Sequence, residues 1–163
     1  MANIIIDGYN LIGIAHDNLA KARNDIIAML RKYSKLKKHQ ITLVFDGWKN
    51  GQKDETKIKT ADLTVIYSRL GEKADLTIMK KLSSSTKPWI VVSSDREISD
   101  YAVKKDHAAV SAVEFEEKLY SALDNLKKDS IDDYITRPSA RPGGNPEKLS
   151  KKQRKKLRAL QKL

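Results

Sequence analysis

Three consecutive isoleucines, Ile4-Ile5-Ile6, run directly into Asp7-Gly8-Tyr9-Asn10, and no other stretch constrains this chain as tightly. A strand built only of β-branched apolar residues has no polar face, so it must be covered on both sides, as in a sheet layered between helices. The switch to Asp-Gly-Tyr-Asn marks where the strand leaves the core, with Asp7 at its C-terminal end. In open α/β sheets ligands collect at that edge. The pattern returns: Gln40 to Phe45 stops at Asp46-Gly47, and Trp89 to Ser93 runs into Ser94-Asp95-Arg96-Glu97. A helix opening at Gly71 carries Asp75 on the same face as Ile78, Met79 and Leu82.

The remaining segments fill in the layers. Leu11 to Asp17 reads as a loop, with Asp17 or Asn18 capping a helix from about Leu19 to Lys35 whose stripe is Ile26, Met29, Leu30 and Tyr33. Residues 49–62 are polar and Lys-rich and read as a mobile loop, and Leu63 to Tyr67 reads as a strand. Ser94 and Glu97 have capping-box spacing before a helix over about Asp95 to Lys105. Ala108 to Val110 is a short strand; Ser111 and Glu114 repeat the box ahead of Phe115, Leu119, Ala122 and Leu126. Strands alternating with helices in this order imply a mainly parallel sheet with helices on both faces.

Charge divides the chain in two. Residues 127–163 hold 12 Lys or Arg against 4 Asp or Glu, while residues 1–126 hold 20 against 17. The chain therefore reads as a domain over 1–126 and a basic linker and tail over 127–163, expected to be partly disordered with a short helix at 150–162. That helix carries Lys151, Lys152, Arg154, Lys155, Lys156 and Arg158, with Leu157 and Leu160 on one side, and is expected to order on a partner. Basic tails suit polyanions, because each Lys or Arg set against a phosphate releases counterions, although a solvated tail has the same composition. There is no cysteine, hence no disulfide, thiolate zinc site or thiol nucleophile, which fits a cytoplasmic location. No run approaches the ~20 apolar residues of a membrane span.

Asp7, Asp46, Asp75 and Asp95 at one edge suit a hard divalent cation, since magnesium and manganese take carboxylate, water and phosphate oxygens. Without one, two unit charges about 4 Å apart repel by about 4 kcal/mol at an effective dielectric of about 20. Bound metal or raised carboxyl pKa values are the two ways out. With metal, such a cluster can activate water and stabilise a leaving oxygen, as phosphodiester hydrolysis requires. Singly, the residues have plainer readings: Asp46-Gly47 is an ordinary turn dipeptide, and Asp95 suits the first turn of any helix. His16, His39 and His107 are scattered at loops and element ends and read as surface residues. Tyr9 and Asn10 read equally as nucleotide contacts or as a turn, Trp89 as core, and Trp48 with Lys49 and Lys53 as a nucleic-acid contact. No phosphate loop, dinucleotide glycine pattern or nucleophile elbow is present.

Ile5-Ile6-Asp7-Gly8-Tyr9-Asn10, Val44-Phe45-Asp46-Gly47, Tyr67-Ser68 with Gly71-Glu72-Lys73-Ala74-Asp75, and Val92-Ser93-Ser94-Asp95-Arg96-Glu97-Ile98 together resemble the NYN domains of the PIN-like nuclease superfamily, above all their YacP-like bacterial branch. The resemblance covers about residues 3–126. It implies a Rossmann-like three-layer fold whose mainly parallel sheet has five strands in the order 3-2-1-4-5, and a magnesium- or manganese-dependent endoribonuclease. It further implies that the four aspartates match the family's acidic positions, with Asn10 and Ser94 lining the same pocket. RNA turnover, in some members on the ribosome, is the role it carries. Arg96, Lys49 and Lys53 are then expected to hold the phosphate backbone, and the tail cations to touch RNA. The alternative is a non-catalytic RNA- or ribosome-binding protein acting through its tail. A receiver domain shares the layout but lacks the adjacent acidic pair and late lysine its chemistry needs. Monomer and homodimer are both compatible with the sequence.

Overall fold

The structure is a computed structural model that describes residues 1–13, 18–47, 53–129 and 150–163. His16, Asp17, Trp48 and Lys49 named above, and residues 130–149 of the expected linker, lie outside the described residues, as does the side chain of Leu126. Among the described residues the chain order is β1 (Asn3–Asp7), α1 (Gly8–Ile12), α2 (Leu19–Lys37), β2 (Gln40–Phe45), β3 (Thr56–Thr60), β4 (Leu63–Tyr67), α3 (Ala74–Ser83), β5 (Trp89–Val92), α4 (Arg96–Lys104), β6 (Ala108–Val110), α5 (Ala112–Asp129) and α6 (Lys151–Lys162).

These strands form one sheet in the order β3-β4-β2-β1-β5-β6. β1 lies between β2 and β5 and is parallel to both, with Ile5 opposite Thr42 on one side and Val91 on the other. The pleat turns Ile4 and Ile6 into a core layer with Leu30, Tyr33, Phe115 and Leu119 of α2 and α5, and turns Ile5 into the opposite layer with Ile78, Leu82, Ile98 and Ala102 of α3 and α4. That is why three isoleucines in a row are needed. From β1 the chain builds outward first towards β2 and later towards β5, so the direction of winding reverses at β1 and leaves a crevice at its C-terminal end.

Five of the six strands follow the expected order; the sixth, β3, falls in the stretch read as a mobile loop and pairs antiparallel with β4. Thr56-Lys57-Ile58-Lys59-Thr60 is too polar to read as buried, because it is an edge strand whose lysines protect an open ladder. The supposed loop after Asn10 also begins differently, since Gly8–Ile12 forms the short helix α1.

The opposite edge, β6, is covered by α6, and here the sequence reading is corrected. The helix expected to order on a partner has the body of its own chain as that partner. Ser150 and Gln153 form a full capping box at its start. Ala159 and Leu163 are buried in the α2–α5 layer and Leu160 partly so, whereas Leu157 stays exposed. Tyr33 Oη donates to the Leu163 carbonyl at 2.7 Å. Burial pushes the Tyr33 phenol up, so that donor stays protonated.

His39 and His107, read as surface residues, are both buried. Each bridges elements by its ring. His39 Nδ1 faces the Ala2 N–H, which can only donate, so Nε2 carries the proton and donates to the Lys162 carbonyl at 2.9 Å. His107 repeats the arrangement between the Trp89 N–H and the Leu82 carbonyl.

Burial, followed by a smaller raising effect from the Lys162 hydrogen bond, leaves the His39 pKa below its usual 6.5. The folded state therefore holds the neutral ring; its contribution is complete above the unfolded pKa and falls away as pH drops through it towards the lower folded value. Amide hydrogen exchange of α6, measured from pH 7.5 to pH 5, should show protection lost towards acid more steeply than in α2, and His39→Gln should flatten that dependence.

Candidate active site

Asp7 closes β1 and caps α1, accepting the Asn10 N–H on Oδ1 at 3.2 Å. Asp46 follows β2 and accepts the Ala74 N–H at the start of α3, a helix whose own N-cap residue, Lys73, supplies no side-chain cap. Asp95 follows β5 and caps α4, accepting the Glu97 N–H at 2.7 Å. Asp75 sits in the first turn of α3 and is half-buried. Three of the four expected carboxylates thus rest on helix N-termini, where orphan N–H groups and the positive end of the helix dipole offset negative charge.

That support leaves the cluster strained electrostatically. Asp7 is 8% exposed. Burial pushes its carboxyl up to about 6, helped by the charges of Asp75, Asp46 and Asp95 and opposed by the Asn10 N–H. Burial also raises Asp75, followed by Asp95 and Asp46, with Lys73 opposing and Glu97 adding to the rise. Asp7 thus feels the charges of the other three aspartates, and Asp75 those of Asp95 and Asp46. Glu97, read from sequence only as a capping partner, joins them as a fifth negative charge; nothing in its spacing distinguished that role.

The neighbouring backbone is fixed by polar contacts. Asn10 Oδ1 accepts the Ser94 N–H at 2.9 Å, tying α1 to the β5–α4 turn. Ser94 Oγ accepts the Ala112 N–H at 3.2 Å. Ser94 is therefore not the cap of α4 that its spacing to Glu97 suggested; Asp95 takes that place, and Ser93 Oγ accepts the Asp95 N–H at 3.1 Å. Tyr9 packs edge-on against Phe45 with ring centroids 5.3 Å apart, and its hydroxyl lies 3.5 Å from Arg23 Nη1, so its ring belongs to the packing of the edge. Arg96 and Lys53 are exposed.

The two Asp-Gly pairs are explained by space and not by turn conformation. Neither glycine has a left-handed backbone, but a Cβ on Gly8 would lie 2.3 Å from the Phe45 ring and one on Gly47 would lie 1.9 Å from the Ser68 carbonyl oxygen. The Gly47 N–H donates to Ser68 Oγ at 2.8 Å, and Ser68 Oγ donates to the Glu72 carbonyl at 2.5 Å. This chain of contacts sets the loop after β2 against the approach to α3, which brings Asp46 to Ala74.

Among the described residues no group of three or more His, Cys, Asp or Glu side chains stands within chelating distance as it is. The donor set nevertheless fits a hard cation. Each cap hydrogen bond uses one oxygen of Asp7, Asp46 and Asp95, leaving the other for a ligand role, and uncompensated like charge is the defect that a cation repairs.

Two expectations follow. Because the folded Asp7 pKa is raised, its ionisation destabilises the fold progressively between about pH 4 and pH 6 and fully above. In chelator-treated protein Asp7→Asn should raise stability at pH 7.5 by roughly 2 kcal/mol and by far less at pH 4, read by urea denaturation. Gly47→Ala should cost about 3 kcal/mol by overpacking against backbone, read the same way.

Comparison with known proteins agrees with this fold. No curated protein sequence matches the chain. Among solved structures it is similar to Rae1 (YacP) from Bacillus subtilis, with a TM-score of 0.64 and 20% identity over 80% of each chain. A tryptophan-to-leucine variant of that protein matches equally well, with a TM-score of 0.64 and 20% identity over 78% of this chain and 80% of that one. At this identity the likeness establishes the fold. The family model for the YacP-like NYN domain matches residues 4–162, reaching beyond the core into α6, and the chain is therefore a member of the YacP-like NYN family within the PIN-like nuclease superfamily.

Proposed function

We propose that this protein is a divalent-metal-dependent endoribonuclease acting in RNA processing or turnover. The observation that carries the reading is the set of four aspartates at the crevice of a YacP-like NYN fold, with Asp7 and Asp75 destabilised by burial and by the charges of their acidic neighbours. In the reaction water adds to phosphorus and one P–O ester bond breaks, leaving a phosphate monoester on one fragment and a hydroxyl on the other.

Asp7, Asp46 and Asp95 would hold magnesium or manganese, with Asp75 completing the set, and the ion would supply water activation and charge neutralisation at the phosphate. The chain's own groups do the rest. The N-termini of α1, α3 and α4 hold three carboxylates at the same sheet edge through the caps described above, and side-chain movement would bring them onto an ion. The Asn10–Ser94 hydrogen bond holds the β5–α4 turn in register with α1. Asp75, half-buried and in the first turn of α3, orients water at the crevice. Arg96 at the start of α4 and Lys53 before β3 are exposed cations for the phosphate backbone, a contact that positions RNA without reading its sequence.

A second reading, an RNA- or ribosome-binding protein that does not cut, draws on the charge of α6. Seven of its 12 residues are Lys or Arg. The readings part on Asp7. Purified protein incubated with mixed single- and double-stranded RNA should cleave with manganese or magnesium and not with EDTA. Asp7→Asn should lower the rate by at least about a hundredfold while RNA affinity stays within about twofold. Binding without cutting under every condition, ribosomes included, would favour the second reading.

A further inference from the structure

A cavity of about 260 Å³ opens beside the acidic edge, between α4, β6 and the N-terminal half of α6. Hydroxyl-bearing Ser93, Ser94 and Ser111 line one side and Lys152, Lys155 and Lys156 the other. Ser94 belongs to both places: its N–H is held by Asn10, and the next residue is Asp95.

We infer that this cavity is a subsite for a backbone phosphate of single-stranded RNA, next to the phosphate held at the acidic edge. The inference rests on the nuclease reading for the identity of the ligand. The Ser93 and Ser94 hydroxyls together with lysine ammonium groups form a site for a phosphodiester oxygen pair, and the lining has no Phe, Tyr or Trp on which a base could stack; its one ring, His107, is buried and held at both nitrogens by the Trp89 N–H and the Leu82 carbonyl. The volume suits a phosphate with its sugar and falls short of the about 300 Å³ at which drug-sized pockets begin. It is a backbone contact, indifferent to sequence.

The lysines are available for this exchange. Lys152 pairs with Asp100 at 3.2 Å and Lys156 with Glu114 at 2.8 Å, while Lys155 pairs with Asp106. The Lys152–Asp100 pair is exposed on both sides, 57% and 72%, and adds little to docking of the helix, whereas Lys155 and the Lys156–Glu114 pair are half-buried. A phosphate can replace a carboxylate at small cost. With seven cations on α6 against these three acids, positive charge remains in excess along the helix.

The test is binding of a fluorescent single-stranded 12-nucleotide RNA to the full chain in EDTA, followed by anisotropy over a salt series. Lys152→Gln with Lys156→Gln should weaken binding about five- to tenfold at low salt and lower the salt slope by about 0.7 per lysine. A control pair on α2, Lys32→Gln with Lys35→Gln, removes the same charge from exposed positions and should have under about half that effect on a logarithmic scale. Asp100→Asn frees Lys152 and should tighten binding about twofold. A purely structural role for the Lys152–Asp100 pair moves both variants in the same direction, so weaker binding by Asp100→Asn overturns the proposal, as do equal effects of the two lysine pairs. A native protein that cuts RNA with metal while the Lys152/Lys156 variant binds normally removes the subsite and leaves the nuclease standing. Pocket-dependent binding without cutting under any metal does the reverse.

Discussion

Repulsion among carboxylates is the constraint around which this fold is arranged. A sheet edge that collects Asp7, Asp46, Asp75 and Asp95 works against itself, and burial of Asp7 makes matters worse. The protein meets this by ending strands where helices begin, so that each strand-terminal aspartate receives a backbone N–H from a helix start. The parallel sheet is the architecture that makes this possible: β1, β4, β5 and β6 are each followed by a helix starting at the same edge, and Asp46 after β2 reaches the start of α3, the helix that follows β4. The groups that cap the helices are the same ones proposed to hold the cation.

The glycines after Asp7 and Asp46 show the same economy. Gly8 lets the Phe45 ring lie against α1, and Phe45 is itself the residue before Asp46. Tyr9 and Tyr67 complete an aromatic cluster around it, with Tyr67 stacked at 5.6 Å. A shift in either acidic loop is felt by the other through these rings. Packing of these rings thus holds the two acidic loops in register.

Much of this was legible in the sequence, because burial on both faces leaves a run such as Ile4-Ile5-Ile6 no other place to go, and because strand ends marked by Asp repeat in order. The central five strands and the acidic edge follow from that. What could not be read is physically of another kind. β3 is written in threonine and lysine since an edge strand meets solvent, and alternation of that sort looks like loop. The caps of α4 depend on a choice between neighbouring oxygens, Ser94 and Asp95, that tertiary contacts with Asn10 and Ala112 decide. Docking of α6 rests on Ala159, Leu163 and the carbonyls of Lys162 and Leu163, and backbone acceptors leave no trace in composition. Buried histidines satisfied by main chain are equally silent.

The position of α6 bears on the order in which the molecule is built. Its two anchoring hydrogen bonds join residues 130 and 123 positions apart, contacts whose loop-closure entropy is met only after the sheet exists. A chain synthesised from its N-terminus can pair β1 with β2 and β5, and β2 with β4, while α6 has yet to be made. During that interval β6 is a bare edge, three residues long. Its brevity limits what a neighbouring nascent chain could pair with, and α6, made after it, closes the side of the sheet that lysines do not guard.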